Sequence, residues 1–289
     1  MKNPVLYISI FLLLVVSFAF GQADEETSDD TIYLIIRGDD MGFTHAANEA
    51  IIDCYRNGVM KTVELMPVTP WFSEAVAMLK ENPGLDVGIH LALTSEWTNL
   101  KWRPLTHVPS LVDSNGYFFP MVWQQSHFAP NTSIQNADWK INEIEKELRT
   151  QIELALKHVS YVSHMGGHMG FSGLDPKIGE LMGKLAKEYN LEIDMKKYNV
   201  QRMPGWDRET PFEARIDVFC QNLETLTPGY YLFVDHPAYN VPEMKTIGHP
   251  GYDDVAIDRE WVTRVFTSDK VKKTIEEKGI KLISYKDLK

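Results

Sequence analysis

Carboxylates and imidazoles stand in this chain where apolar runs stop. Asp39-Asp40 follow the run Thr31-Ile-Tyr-Leu-Ile-Ile-Arg37, and His90 lies in Gly88-Ile-His-Leu-Ala-Leu. His164 and His168 lie in Ser163-His-Met-Gly-Gly-His-Met-Gly, and His236 in Phe233-Val-Asp-His-Pro. One carboxylate and two imidazoles from separate strand ends make a three-ligand set for a divalent ion, with a position left open for water. A further carboxylate and a histidine near neutral pH can then move protons. Each residue alone also fits a plainer role. An Asp-Asp pair can cap a helix, His90 can be a hydrogen-bonded core residue, and His236 can be a turn residue before a proline. Their shared position at the ends of apolar runs is what argues for one site.

The local spacing refines these roles. Adjacent residues leaving a strand point to opposite sides, so one carboxylate of the pair can hold a metal while the other faces the substrate. Gly42 permits a tight turn just after them. A helical His164–His168 spacing would put both rings on one face, whereas Gly166-Gly167 argues for a loop whose backbone comes close to a ligand. His249, in Gly248-His-Pro-Gly-Tyr, reads as a loop residue.

Alternating strand and helix signals must position these groups. Thr31 to Arg37 is short, apolar and β-branched, as expected of a strand buried on both faces. Thr44 caps a helix over 46–57 that Gly58 closes. Strands are expected over 59–68, 85–93, 161–163, 191–195, 230–234 and 279–285. Further helices are expected over 71–81, 142–157, 176–189 and 262–278, the second burying Ile141, Ile144, Leu148, Ile152 and Ala155. From Ser95 to Asn136 the chain reads as a long aromatic loop, and such loops tend to carry function. This alternation predicts an α/β fold, a single-domain distorted (β/α) barrel with its site at the C-terminal ends of the strands.

Residues 1–21 read as a signal peptide: Lys2, an apolar run from Val5 to Phe20, and Ala19-Phe20-Gly21 as the cleavage site. Export to the periplasm or beyond follows, with no stable membrane anchor after cleavage. Residues 22–30 form an acidic linker, and 31–289 form one domain. Lys and Arg number 29 against 40 Asp and Glu, a net charge of −11. That balance argues against nucleic acid and suits a neutral or cationic substrate. Cys54 and Cys220 lack metal-knuckle spacing and are expected as two buried thiols.

The chain resembles the YdjC-like carbohydrate deacetylases, distant relatives of the polysaccharide deacetylases, from about Tyr33 to Leu288. The resemblance lies in Leu34-Ile-Ile-Arg-Gly-Asp-Asp-Met-Gly-Phe, Gly88-Ile-His-Leu-Ala-Leu-Thr, Pro109-Ser-Leu-Val-Asp-Ser-Asn-Gly-Tyr-Phe, Ser163-His164 to His168, Asp235-His-Pro-Ala-Tyr and Leu282-Ile-Ser-Tyr-Lys-Asp-Leu. It implies a metal-dependent hydrolase removing acetyl groups from N-acetylated amino sugars or oligosaccharides, with one divalent ion, zinc or magnesium foremost, and it is compatible with a homodimer. It further implies Asp40, His90 and His164 as metal ligands, Asp39 as general base and His236 as acid. His168 would lie behind the ligands or face the substrate. Val162, Met165-Gly-Gly, Gly38 and Met41 depart from the family pattern around these residues. Two rival readings share the residues: a metal hydrolase of another bond, such as an O-acetyl ester or a cyclic amide, and a carbohydrate-binding protein without catalysis. Trp97, Trp102 and Trp206 would suit stacking on sugar rings and fit buried loop anchors at least as well.

Overall fold

A computed structural model describes residues 30–289. The expected signal peptide and, apart from Asp30, the linker lie outside the described residues. Among the described residues no helix is long and apolar enough to cross a membrane.

The sheet is parallel throughout. Its strands are β1 (Ile32–Met41), β2 (Thr62–Leu65), β3 (Asp86–Leu91), β4 (Val162–Gly167), β5 (Gln201–Arg202), β6 (Gly229–Asp235) and β7 (Lys281–Ile283). Their order is β4-β3-β2-β1-β6-β5, with β7 pairing the first half of β1 beside the edge that β2 takes further on. Helices α1 (His45–Arg56), α2 (Phe72–Lys80), α3 (Ile141–His158), α4 (Pro176–Glu188), α5 (Arg215–Thr225), α6 (Val255–Thr267) and α7 (Asp269–Glu277) connect and cover it. The result is a single-domain, distorted (β/α) barrel, as the alternation predicts.

The two faces of β1 differ in chemistry. Leu34 and Ile36 pack outward with Ile51, Val63, Val87 and Phe266 in the main core under the helices. Ile35 points inward to a small cluster with Leu232, Tyr285 and Leu288. The next inward residues, Arg37 and Asp39, begin a polar interior that rises to the mouth.

Several local expectations are corrected. Residues 191–195 form no strand; Leu191 packs in the core with Leu181 and Leu185 of α4, and Ile193 and Met195 pack against the small inner cluster. The helix expected over 262–278 is two helices, broken at Ser268, whose backbone is extended. Gly166-Gly167 lie within β4 rather than in a loop. Gly58 is needed because a Cβ there would lie 2.3 Å from the Phe266 carbonyl oxygen, not because its backbone is left-handed. Ile141 is exposed, whereas Ile144, Leu148, Ile152 and Ala155 are buried as expected. Cys54 and Cys220 are free and buried, and burial pushes the Cys54 thiol well up.

Two polar side chains on the buried face of α3 hold the chain after β3, one of them the long loop itself. Glu147 accepts hydrogen bonds from the Leu105 and Thr106 amides, each at 2.9 Å, and from the Thr106 hydroxyl at 2.7 Å. Gln151 pairs with both the amide and the carbonyl of Ala92, at 2.9 and 2.8 Å, extending the ladder beyond β3. Glu147 is wholly buried, so its removal strands buried donors at a cost of about 1–3 kcal/mol per group. Glu147→Ala is therefore expected to lower the denaturation midpoint and to open 95–136 to limited proteolysis. An unchanged midpoint and protease pattern would contradict this anchoring role.

Candidate active site

A bulge in β1 brings both aspartates to the site. The register against β2 shifts between Gly38 and Met41, and Asp40 sits in the left-handed region at φ 67°. Bulges bend a strand and re-aim its side chains. Asp39 Oδ2 and Asp40 Oδ1 consequently both approach His90 Nε2, at 3.8 and 3.5 Å, instead of pointing to opposite sides. Gly42, at φ 104°, then turns the chain; its amide donates to Asn48 Oδ1 at 2.7 Å, and its carbonyl accepts from Trp71.

Register decides which histidine meets the aspartates. His90 on β3 stands opposite Gly166 on β4, whereas His164 stands opposite Gly88, one inward position lower. His168, the first residue beyond β4, reaches the mouth instead. Its Nδ1 lies 3.2 Å from His90 Nε2 and 3.3 Å from Asp40 Oδ1. Asp40, His90 and His168 thus offer one ligand atom each, all within 4.8 Å of one another and all buried. The expected trio with His164 does not form. His164 is packed against Tyr285, ring centroids 4.0 Å apart, with Ser163 Oγ 2.7 Å from its Nδ1 and Glu64 Oε1 3.6 Å from its Nε2.

The surrounding charges suit a cation. His90 Nδ1 donates to Glu64 Oε2 at 2.6 Å, and His168 Nε2 donates to Glu96 Oε2 at 3.1 Å. Each ring therefore has a carboxylate behind it and its other nitrogen aimed at the common point, the arrangement that orients metal-binding imidazoles. Asp40 Oδ1 is buried with no hydrogen-bond partner. Asp39, Asp40, Glu64 and Glu96 are all buried here against the guanidiniums of Arg37 and Arg259. A surplus of buried negative charge is costly unless protons or a cation offset it.

Titration follows the same balance. Burial would raise the Asp40 carboxyl, yet His236, His168 and Arg259 together hold it well below its ordinary value. Burial would lower His168, but Glu96 and Asp40 push it up to about 10. His236, at the end of β6, is raised as well: burial opposes the charge, and Asp40 and Asp235 favour it. β1 and β6 pair Gly38 with Asp235, which sets His236 Nε2 3.9 Å from Asp40 Oδ2. The His236 amide donates to Asp235 Oδ1 at 2.8 Å. Asp39 lies against Arg37, whose Nη2 donates to Asp39 Oδ2 at 2.8 Å.

Four charged residues escaped the sequence reading: Arg37, Glu64, Glu96 and Arg259. Arg259 donates from Nη2 to Asp40 Oδ2 at 3.0 Å, leaving Oδ1 for the common point, and lies under the Phe43 and Trp97 rings. A signal for two of them was present, because Arg37 follows an apolar run and Glu64 stands between Val63 and Leu65, where charges are rarely buried unless paired. Trp97 and Trp102 are buried structural residues and offer no face to a ligand. Trp206 is half-buried and, with Phe128, His249 and Tyr252, lines a cleft of about 580 Å³ beside the site. His249 is a loop residue, as expected, and stacks on Trp97 at 5.4 Å.

The site lies at the C-terminal strand ends of a parallel (β/α) barrel, the mouth where proteins of this architecture carry their chemistry. The YdjC-like protein family model matches residues 33–277, and the chain belongs to that family. It is 28% identical over 268 residues to carbohydrate deacetylase 1 of Listeria innocua, covering 88% of this chain and 99% of that protein. It is 30% identical to a carbohydrate deacetylase of Clostridium beijerinckii, covering 88% and 99%. A crystal structure of a candidate cellobiose-phosphate cleavage protein from Enterococcus faecalis superposes with a TM-score of 0.70 at 25% identity, covering 90% and 99%.

The geometry separates the two β4-end histidines experimentally. His168→Ala is expected to abolish stoichiometric binding of Zn²⁺ in a calorimetric titration, whereas folded His164→Ala retains it. Loss of binding in His164→Ala with retention in His168→Ala would reverse the two positions.

Proposed function

We propose that this chain is a metal-dependent deacetylase that hydrolyses the N-acetyl group of an amino sugar or oligosaccharide. The observation that carries this reading is the buried convergence of Asp40 Oδ1, His90 Nε2 and His168 Nδ1, flanked by Asp39 and His236. The carbohydrate deacetylases among its relatives support the substrate class.

Asp40, His90 and His168 would hold one divalent ion. Such an ion, when bound, supplies charge that activates a water molecule and polarises an acyl carbonyl. Nitrogen and carboxylate ligands suit zinc, and magnesium remains compatible with the oxygen share. Asp39 accepts the proton of the attacking water. His236, raised toward its cationic form, gives a proton to the departing amine nitrogen as the acetyl C–N bond breaks. Amide and water thus become acetate and free amine. Arg259 holds Asp40 in one orientation throughout.

The neighbouring cleft suits a saccharide. Half-buried rings offer apolar faces to the C–H faces of a sugar, while Gln125, His249 and Asp254 stand where they can meet hydroxyls.

The mature chain is expected to release acetate from an N-acetylated saccharide, to lose this activity to a chelator, and to regain it with added metal. Absence of acetate across a panel of acetylated saccharides, with metal present, would contradict the reading. Asp39→Asn and His236→Ala should each lower kcat by about 10²–10⁴-fold while retaining Zn²⁺; unchanged rates would remove them from proton transfer.

A further inference from the structure

Beneath the proposed metal centre, the barrel interior holds a second polar tier that the reaction itself does not use. Its centre is Glu64 on β2, wholly buried. Glu64 Oε2 accepts from His90 Nδ1 at 2.6 Å, and Oε1 accepts from Arg37 Nη1 at 2.9 Å. The same guanidinium reaches Asp39 through Nη2 at 2.8 Å, and its Nη1 also meets the Tyr285 hydroxyl at 3.0 Å. One arginine therefore ties the carboxylate behind His90 to the carboxylate proposed as base.

The space for this tier is made by glycine. A Cβ at Gly166 would lie 2.6 Å from Glu64 Oε1, and one at Gly88 would lie 2.3 Å from His164 Nε2. Glu64 and His164 thus occupy positions that side chains on the neighbouring strands would take. His164 closes the tier from below, its Nε2 3.6 Å from Glu64 Oε1 and its ring against Tyr285.

We propose that Glu64 is a positioning residue that fixes His90 with its proton on Nδ1 and Nε2 free to ligate, and that Arg37 couples this orientation to that of Asp39. This inference rests on the metal reading given above. A carboxylate at that position can only accept, so the nitrogen facing it must carry the proton. The other nitrogen is then the one turned to Asp40 and His168. The tier also explains a buried charge in a strand whose other residues are apolar or small.

The test is a Co²⁺ titration of the wild type and of Glu64→Gln, followed by visible absorption, with thermal melting in parallel. Loss of such a partner typically weakens metal affinity about 10–100-fold, and that is the expected shift in Kd for folded Glu64→Gln. A folded variant with wild-type Kd would reduce Glu64 to a counter-ion for Arg37 and overturn the proposal. Failure of the wild type to bind Co²⁺ would overturn the metal reading and this inference with it. If Glu64→Gln does not fold, nitrogen NMR of the metal-loaded wild type decides. His90 protonated on Nδ1 supports the proposal, and His90 protonated on Nε2 overturns it.

Discussion

Much of this structure answers to an excess of buried negative charge. Asp39, Asp40, Glu64 and Glu96 lie within one mouth, and Arg37 and Arg259 offset only part of their charge. Such a cluster is expensive in a protein interior unless each carboxylate is paired or hydrogen-bonded. The fold meets that demand in a directed way. Glu64 and Glu96 accept from the far nitrogens of His90 and His168, Arg259 takes one oxygen of Asp40, and the remaining Asp40 oxygen is left without a partner. That oxygen faces His90 Nε2 and His168 Nδ1, and these three atoms could hold a divalent cation.

The backbone features that create this convergence are few. A bulge with left-handed Asp40 turns two adjacent carboxylates to the same side of β1. The β3–β4 register sets His90 and His168 together at the mouth and keeps His164 lower in the barrel. Glycines at 88 and 166 leave room for Glu64 and His164 where a parallel barrel would ordinarily pack side chains from neighbouring strands. The outward face of β1 is meanwhile an ordinary apolar core, so stability and chemistry draw on opposite faces of the same strand.

The fold class and most of the site were legible in the residues. Short apolar runs marked β1, β3 and β6, and the periodicity of Ile144, Leu148 and Ile152 marked α3. The polar groups at the ends of those strands marked the mouth, and Asp40 and His90 stand where that pattern put them. The choice between His164 and His168 was not legible, because it depends on strand register, and a sequence shows spacing along one strand but not alignment with the next. The opposed directions expected of Asp39 and Asp40 failed for a related reason, since a bulge interrupts the alternation that such reasoning assumes. Trp97 and Trp102 fit either sugar platforms or loop anchors by residue type, and their burial makes them anchors. Glu147 and Gln151 are buried because the long loop returns to Glu147 and the residue after β3 pairs with Gln151.

The most direct test is anomalous diffraction from crystals of the protein grown with zinc, with data collected on both sides of the zinc absorption edge. The account predicts one strong anomalous peak within ligand distance of Asp40 Oδ1, His90 Nε2 and His168 Nδ1. A peak held instead by His164, or no peak at the mouth at all, would contradict it.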